Sequence, residues 1–186
     1  HRDLHSFPTR RSSDLIALPI CAKDYACVLY KKAFKKKALA SHSIGLTAVA
    51  LTFYSARLHN IPRFLFDVAQ YTEFEENDIS RAVSFLIREL KLRYLSPEPL
   101  FYVSQVIAEF HLPMTIENRV NRLIVQFYQA YPLFGGDFRG IIGAAIVLAC
   151  GSHLRSLHLS LNMIYKTLDI NEGTLRSRLR ELRRLQ

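Results

Sequence analysis

Gly45-Leu46-Thr47-Ala48-Val49-Ala50 and, about 95 residues further on, Gly140-Ile141-Ile142-Gly143-Ala144-Ala145 are two versions of one pattern. Each opens a stretch of small and apolar residues that continues through Ala56 in the first case and through Ala149 to Gly151 in the second. A helix that is apolar all round has no face to offer water, so it must be surrounded by other helices. Small side chains let those neighbours come close. Both stretches therefore read as the central helix of a bundle, core and not site.

Outward from these helices the duplication continues. Leu18-Pro19 recurs as Leu112-Pro113, and Arg88-Glu89-Leu90 recurs as Arg180-Glu181-Leu182. A period of about 95 residues is too long for a solenoid unit and matches a small domain, which predicts two similar domains in tandem over roughly 16–95 and 96–186. No period-2 strand pattern runs for more than a few residues, so the expected fold class is all-α. Helices are predicted at 22–37, 43–59, 63–71 and 76–92, then near 98–110, 114–130, 138–152, 160–168 and 172–185. Ser43 and Asp137 are placed to cap the two central helices. Pro97 and Pro99 disfavour helix continuation and mark the boundary.

The first repeat is one helix short in this count. Where its opening helix belongs, the chain reads His5-Ser6-Phe7-Pro8-Thr9-Arg10-Arg11-Ser12-Ser13-Asp14-Leu15. That run resembles an in-frame translation of a common short-read sequencing adapter, so residues 1–15 are set aside from the fold. Without an opening helix, an apolar groove on the first repeat would lie uncovered.

Composition narrows the function. Hydrophobic residues make up 49% of the 186 and charged residues 22%, enough to bury a core. The formal charge of +9 draws polyanions, which puts nucleic acid first among partner classes. Removing residues 1–15 takes away three Arg and two Asp, so the basic balance survives. Three cysteines with no C-x-x-C pair suggest neither a disulfide framework nor a zinc ribbon. The longest apolar stretch, Gly140–Gly151, is too short to span a bilayer. Scattered histidines, no H-E-x-x-H and no glycine-rich phosphate loop argue against an enzyme, and Asp67 and Glu109 read as surface carboxylates.

The segment from Ser160 to Leu182 carries the functional signal. Leu161, Ile164 and Leu168 share a helical face, Ile170-Asn171-Glu172-Gly173 supplies a turn, and a second helix runs from Thr174. This is a helix-turn-helix pattern. On the second helix Leu175, Leu179 and Leu182 stand at i, i+4 and i+7 and should face the core, which sets Arg176, Arg180 and Arg183 on the outer face beside Ser177. From Arg176 onward there are five Arg and one Glu. An exposed Arg near a helix N-terminus can pair with guanine in the major groove, while short hydroxyls and backbone amides meet phosphate. Thr174, Arg176, Ser177, Arg180 and Arg183 are accordingly the candidate DNA-binding residues. Lys31, Lys32, Lys35, Lys36, Lys37 and Arg155 are candidate phosphate contacts, with a solvated basic surface as the alternative. The acidic run Glu73–Asp78 in the first repeat faces the opposite requirement, so that repeat is expected to meet protein.

Taken together, the duplicated Leu-Pro, the alanine-rich central helices, Ile61-Pro62-Arg63 and the terminal helix-turn-helix resemble the core of archaeal and eukaryotic transcription initiation factor IIB. The resemblance covers nearly all of 16–186. It implies two cyclin-like repeats of five helices each, a clamp on the complex of TATA-binding protein with promoter DNA, reading of the element upstream of the TATA box by the second repeat, and recruitment of RNA polymerase. The family's base-reading Arg falls on Arg176. Several positions depart from the family pattern: Gly173 replaces an apolar residue, Phe64 a capping Thr, and Leu157-His158-Leu159-Ser160 an Arg-Thr pairing. Ser43-Ile44 and Asp137-Phe138 stand in place of Ser-Pro. The family's zinc ribbon and polymerase-entering linker have no counterpart here, which reads either as a truncated gene fragment or as a divergent paralogue. The implied protein is a monomeric, cofactor-free, non-membrane factor, cytoplasmic if archaeal and nuclear if eukaryotic. A cyclin-type regulatory subunit that binds protein alone is the alternative.

Overall fold

The computed structural model describes residues 18–36, 43–95, 98–134 and 136–186. The adapter-like run, the helix expected to be missing from the first repeat, Lys37 and the Ser96-Pro97 link lie outside them. Among the described residues all regular structure is helical, with nine α-helices and one 3-10 turn, so the chain is all-α. It divides into two compact units, one running to Pro97 and the other from Glu98.

The first unit holds α1 (Ile20–Lys35), α2 (Ile44–Leu58), α3 (Leu65–Gln70) and α4 (Glu76–Leu90). Every residue from Thr47 to Ala56 is buried, because α1, α3 and α4 all pack on α2. Its buried hydroxyls are absorbed locally: Thr52 Oγ1 donates to the Ala48 carbonyl at 2.7 Å, and Ser55 Oγ donates to the Ala22 carbonyl of α1 at 2.7 Å. Ser43 caps α2 as predicted, accepting from the Leu46 amide at 3.1 Å. By contrast α4 is amphipathic, burying Ile79, Ala82, Val83, Leu86 and Leu90 at helical spacing and turning charged residues outward.

The second unit holds α5 (Pro99–Glu109), α6 (Met114–Ala130), α7 (Arg139–Cys150), α8 (Leu161–Leu168) and α9 (Glu172–Arg183). Here α7 is the central helix, packed by α5, α6, α8 and α9. Asp137 Oδ1 accepts from the Arg139 amide at 2.9 Å, so its carboxylate does meet an unpaired amide at the start of α7. Gly151, at φ +51°, ends that helix in a backbone state that favours glycine. In each unit one apolar helix is ringed by the others, consistent with tandem cyclin-like repeats.

Five helix or turn ends close in the same way, each with a non-glycine residue in the left-handed region followed by an aliphatic one: Asn60-Ile61, Lys91-Leu92, His111-Leu112, His158-Leu159 and Asp169-Ile170. In each pair the aliphatic residue's amide donates five residues back, as Leu92 does to Ile87 and Ile170 to Tyr165, at 2.9–3.1 Å. This is the Schellman closure, in which the aliphatic residue folds back onto the helix it has just left. Leu112, Leu159 and Ile170 are buried in this role.

Candidate nucleic-acid interface

The helix-turn-helix is built on two glycines of α7. A Cβ on Gly143 would lie 3.0 Å from Ile170 Cδ1, 3.1 Å from Leu168 Cδ1 and 3.2 Å from Leu175 Cδ1. One absent side chain thus receives the end of α8, the turn and the start of α9. A Cβ on Gly140 would lie 2.7 Å from Thr174 Cγ2 and 3.2 Å from Arg178 Cγ. Arg139, at the head of α7, ties the turn down from the other side: its Nε donates to Asp137 Oδ2 at 2.7 Å and its Nη1 to Asp169 Oδ2 at 3.2 Å.

The second helix begins at Glu172, as the span 172–185 predicts and two residues ahead of the Thr174 start read from the turn pattern, because Asn171 is its N-cap: Asn171 Oδ1 accepts from the Thr174 amide at 2.7 Å. Gly173 therefore lies in the helix and not in the turn, and the left-handed turn residue is Asp169 at φ 48°. Ile164, Leu168, Leu175 and Leu182 are buried, whereas Leu161 is 43% exposed and Leu179 is only half-buried. Leu161 leads α8, where the first turn overhangs the core. We expect Asn171→Ala to cost about 0.5–2 kcal/mol, read as a lower urea midpoint of the second unit, because it strips the cap from α9. An unchanged midpoint would show that the cap is redundant with the turn's packing.

Arg176, Arg180 and Arg183 are all exposed on α9. Arg176 is paired with Glu172 one turn before it, while Arg180 and Arg183 enter no ion pair with any described residue. Thr174 and Ser177 are half-buried, Thr174 because its methyl rests on Gly140. Arg178 turns inward: its side chain is 24% exposed, pairs with Glu181 at 2.5 Å and lies over the Phe134 ring at 4.7 Å. Its position beside Thr174 on the helical wheel could have shown this. Of the five arginines, one is therefore spent on holding the helix.

In the first unit Lys31, Lys32, Lys35 and Lys36 are exposed at the end of α1, and Lys36 Nζ donates to the Glu89 carbonyl at 3.2 Å. Arg155, after the 3-10 turn Gly151–Leu154, is exposed as well. Cys21 is exposed, Cys27 and Cys150 are buried, and all three are free thiols. Burial pushes the Cys150 thiol up against a smaller opposing pull from Arg119, which leaves it a poor nucleophile. Among the described residues no three His, Cys, Asp or Glu are grouped to hold a metal, and no helix is long and apolar enough to cross a membrane.

The arrangement defines an all-helical protein of two tandem units, the second ending in a helix-turn-helix with an arginine-lined outer face. Over 92% of its length the chain is 28% identical to transcription initiation factor IIB of Pyrodictium occultum, covering 55% of that protein. It is also 28% identical to transcription initiation factor IIB 2 of Halobacterium salinarum, covering 52% of it, and 27% identical to transcription initiation factor IIB of Methanococcus aeolicus, covering 51%. The chain is thus similar to archaeal transcription initiation factor IIB, the resemblance its residues carry. It spans about half the length of these curated relatives. No family model matches it.

Proposed function

We propose that this chain acts as the core of a general transcription initiation factor, binding promoter DNA together with TATA-binding protein and helping to recruit RNA polymerase. The observation that carries the reading is the outer face of α9, where Arg176, Arg180 and Arg183 are exposed together on a helix whose inner face is locked to α7. In this reading α9 enters the major groove and Arg176 leaves Glu172 to pair with a guanine edge. Thr174, Ser177 and the amides of the first turn meet the phosphates that flank it. Lys31, Lys32, Lys35, Lys36, Lys37 and Arg155 add salt-sensitive affinity without reading sequence. No metal or cofactor takes part, and no bond is made or broken.

The test is a gel-shift titration against TATA-containing promoter DNA, with and without TATA-binding protein. A ternary complex that requires both components is the expected result. Arg176→Ala should weaken specific binding by about 1–3 kcal/mol and relax preference at one base position. If sequence preference survives that change, Arg176 is not the reader. Absence of any shift, together with capture of a kinase, would favour a cyclin-type regulator.

A further inference from the structure

Of the two acidic residues on α9, Glu181 turns inward to Arg178 and Glu172 stands outside. By helical period the outward arc of α9 holds Glu172, Gly173, Arg176, Arg180 and Arg183, and all five are exposed. Glu172 is thus the lone carboxylate on an arginine face. Its ion pair with Arg176 joins side chains that are 55% and 71% exposed, and a pair so open to water adds little to stability and separates readily. The start of α9 does not depend on it, because Asn171 supplies the cap. Beside the pair, a Cβ on Gly173 would meet only the Asn171 side chain, at 3.3 Å, so this flank of the first turn is open to a surface laid against it.

A carboxylate brought up to a polyanion is repelled unless the nucleic acid offers it an N–H. In the major groove the donors are cytosine N4 and adenine N6, and a carboxylate suits cytosine N4. Guanine, the base that suits Arg176, offers O6 and N7, and the cytosine paired with it sets its N4 amine beside O6 on the same groove edge. One G·C pair therefore presents acceptors for a guanidinium and a donor for a carboxylate side by side. We propose that Glu172 is a second base-reading residue: when α9 meets DNA the Glu172–Arg176 pair opens onto one G·C pair, Arg176 donating to guanine O6 and N7 and Glu172 accepting from cytosine N4. This rests on the reading of α9 as a major-groove helix. An A·T pair in the same place sets thymine O4 before the carboxylate, where two acceptors meet and repel. Glu172 thus excludes as well as selects.

The experiment selects promoter duplexes, randomised on either side of the TATA element, with the 186-residue chain and TATA-binding protein, and then remakes the selected duplex with two altered bases. N4-methylcytosine keeps its pairing with guanine but replaces the groove-facing N–H with a methyl group, and 7-deazaguanine removes N7. At the guanine whose selection is lost in Arg176→Ala, 7-deazaguanine should weaken binding about fivefold or more, and N4-methylcytosine opposite it likewise. The methyl effect should vanish in Glu172→Ala. Glu172→Gln should bind DNA more tightly overall, having one negative charge fewer, yet discriminate G·C from A·T about fivefold less. Weakening by 7-deazaguanine but not by N4-methylcytosine would leave α9 as the reading helix and overturn the role of Glu172. So would a methyl effect that persists in Glu172→Ala, which marks a clash and not a lost bond, or selection of any other base pair at the position Arg176 controls. Binding with no base preference anywhere would overturn the DNA reading of α9 and this inference with it.

Discussion

Phe127→Ala is expected to lower the unfolding free energy of the second unit by about 3–5 kcal/mol, the range for deleting a fully buried aromatic ring. The ring has no exposed surface and stands at the centre of an aromatic group, 4.9 Å from Tyr131, 5.2 Å from Phe134 and 5.6 Å from Tyr128, centroid to centroid. Phe134 in turn carries the Arg178 guanidinium. A void at Phe127 would therefore loosen the loop after α6 and, through it, the inner edge of α9. Because domains are stable by only about 5–15 kcal/mol, the variant should sit close to unfolding at ambient temperature. Urea melts followed by helical circular dichroism measure this; a loss below about 1 kcal/mol would mean that the site collapses to fill the void.

Gly140→Val should be nearly as damaging and more informative. The nearest obstacle, Thr174 Cγ2 at 2.7 Å from the new Cβ, belongs to a short β-branched side chain that cannot swing aside. The two added methyls make the overlap worse, so an overpacking cost near the upper end of about 1–3 kcal/mol is expected. Valine's slightly better helix propensity recovers only a few tenths of that. The strain should be relieved by displacing the first turn of α9, which carries Arg176, so DNA affinity should fall together with stability. Combining Gly140→Val with Thr174→Ala removes the obstructing methyl and should recover part of the stability, giving a coupling energy of about 1 kcal/mol or more in a double-mutant cycle. Additive losses would place the strain somewhere other than the contact between α7 and α9.

Helix existence and order were legible in the residues. The central helices declared themselves by being small and apolar on every side, and the structure buries ten consecutive residues of α2. Repetition of that pattern was enough to imply two units, and Ser43 and Asp137 act at the helix starts where their chemistry points. The C-terminal closures were harder to see. Asn60, Lys91, His111, His158 and Asp169 adopt the left-handed conformation without being glycine, since the aliphatic residue after each one is drawn onto its own helix. Burial supplies that pull, and no single-residue propensity announces it.

Within the helix-turn-helix the division is sharper. The sequence by itself determined that α9 would turn one leucine face inward and an arginine face outward, because a 3.6-residue period leaves no other assignment for Leu175, Leu182, Arg176 and Arg180. Only the tertiary structure decided what happens along the boundary between those faces. There Arg178 bends in to cover Phe134, Thr174 settles against Gly140, and Arg176 is held by Glu172. A residue's period places it on an arc of the helix. The fate of a side chain at the arc's edge depends on what another segment brings up to it, and for Arg178 that was an aromatic ring from forty-odd residues earlier in the chain.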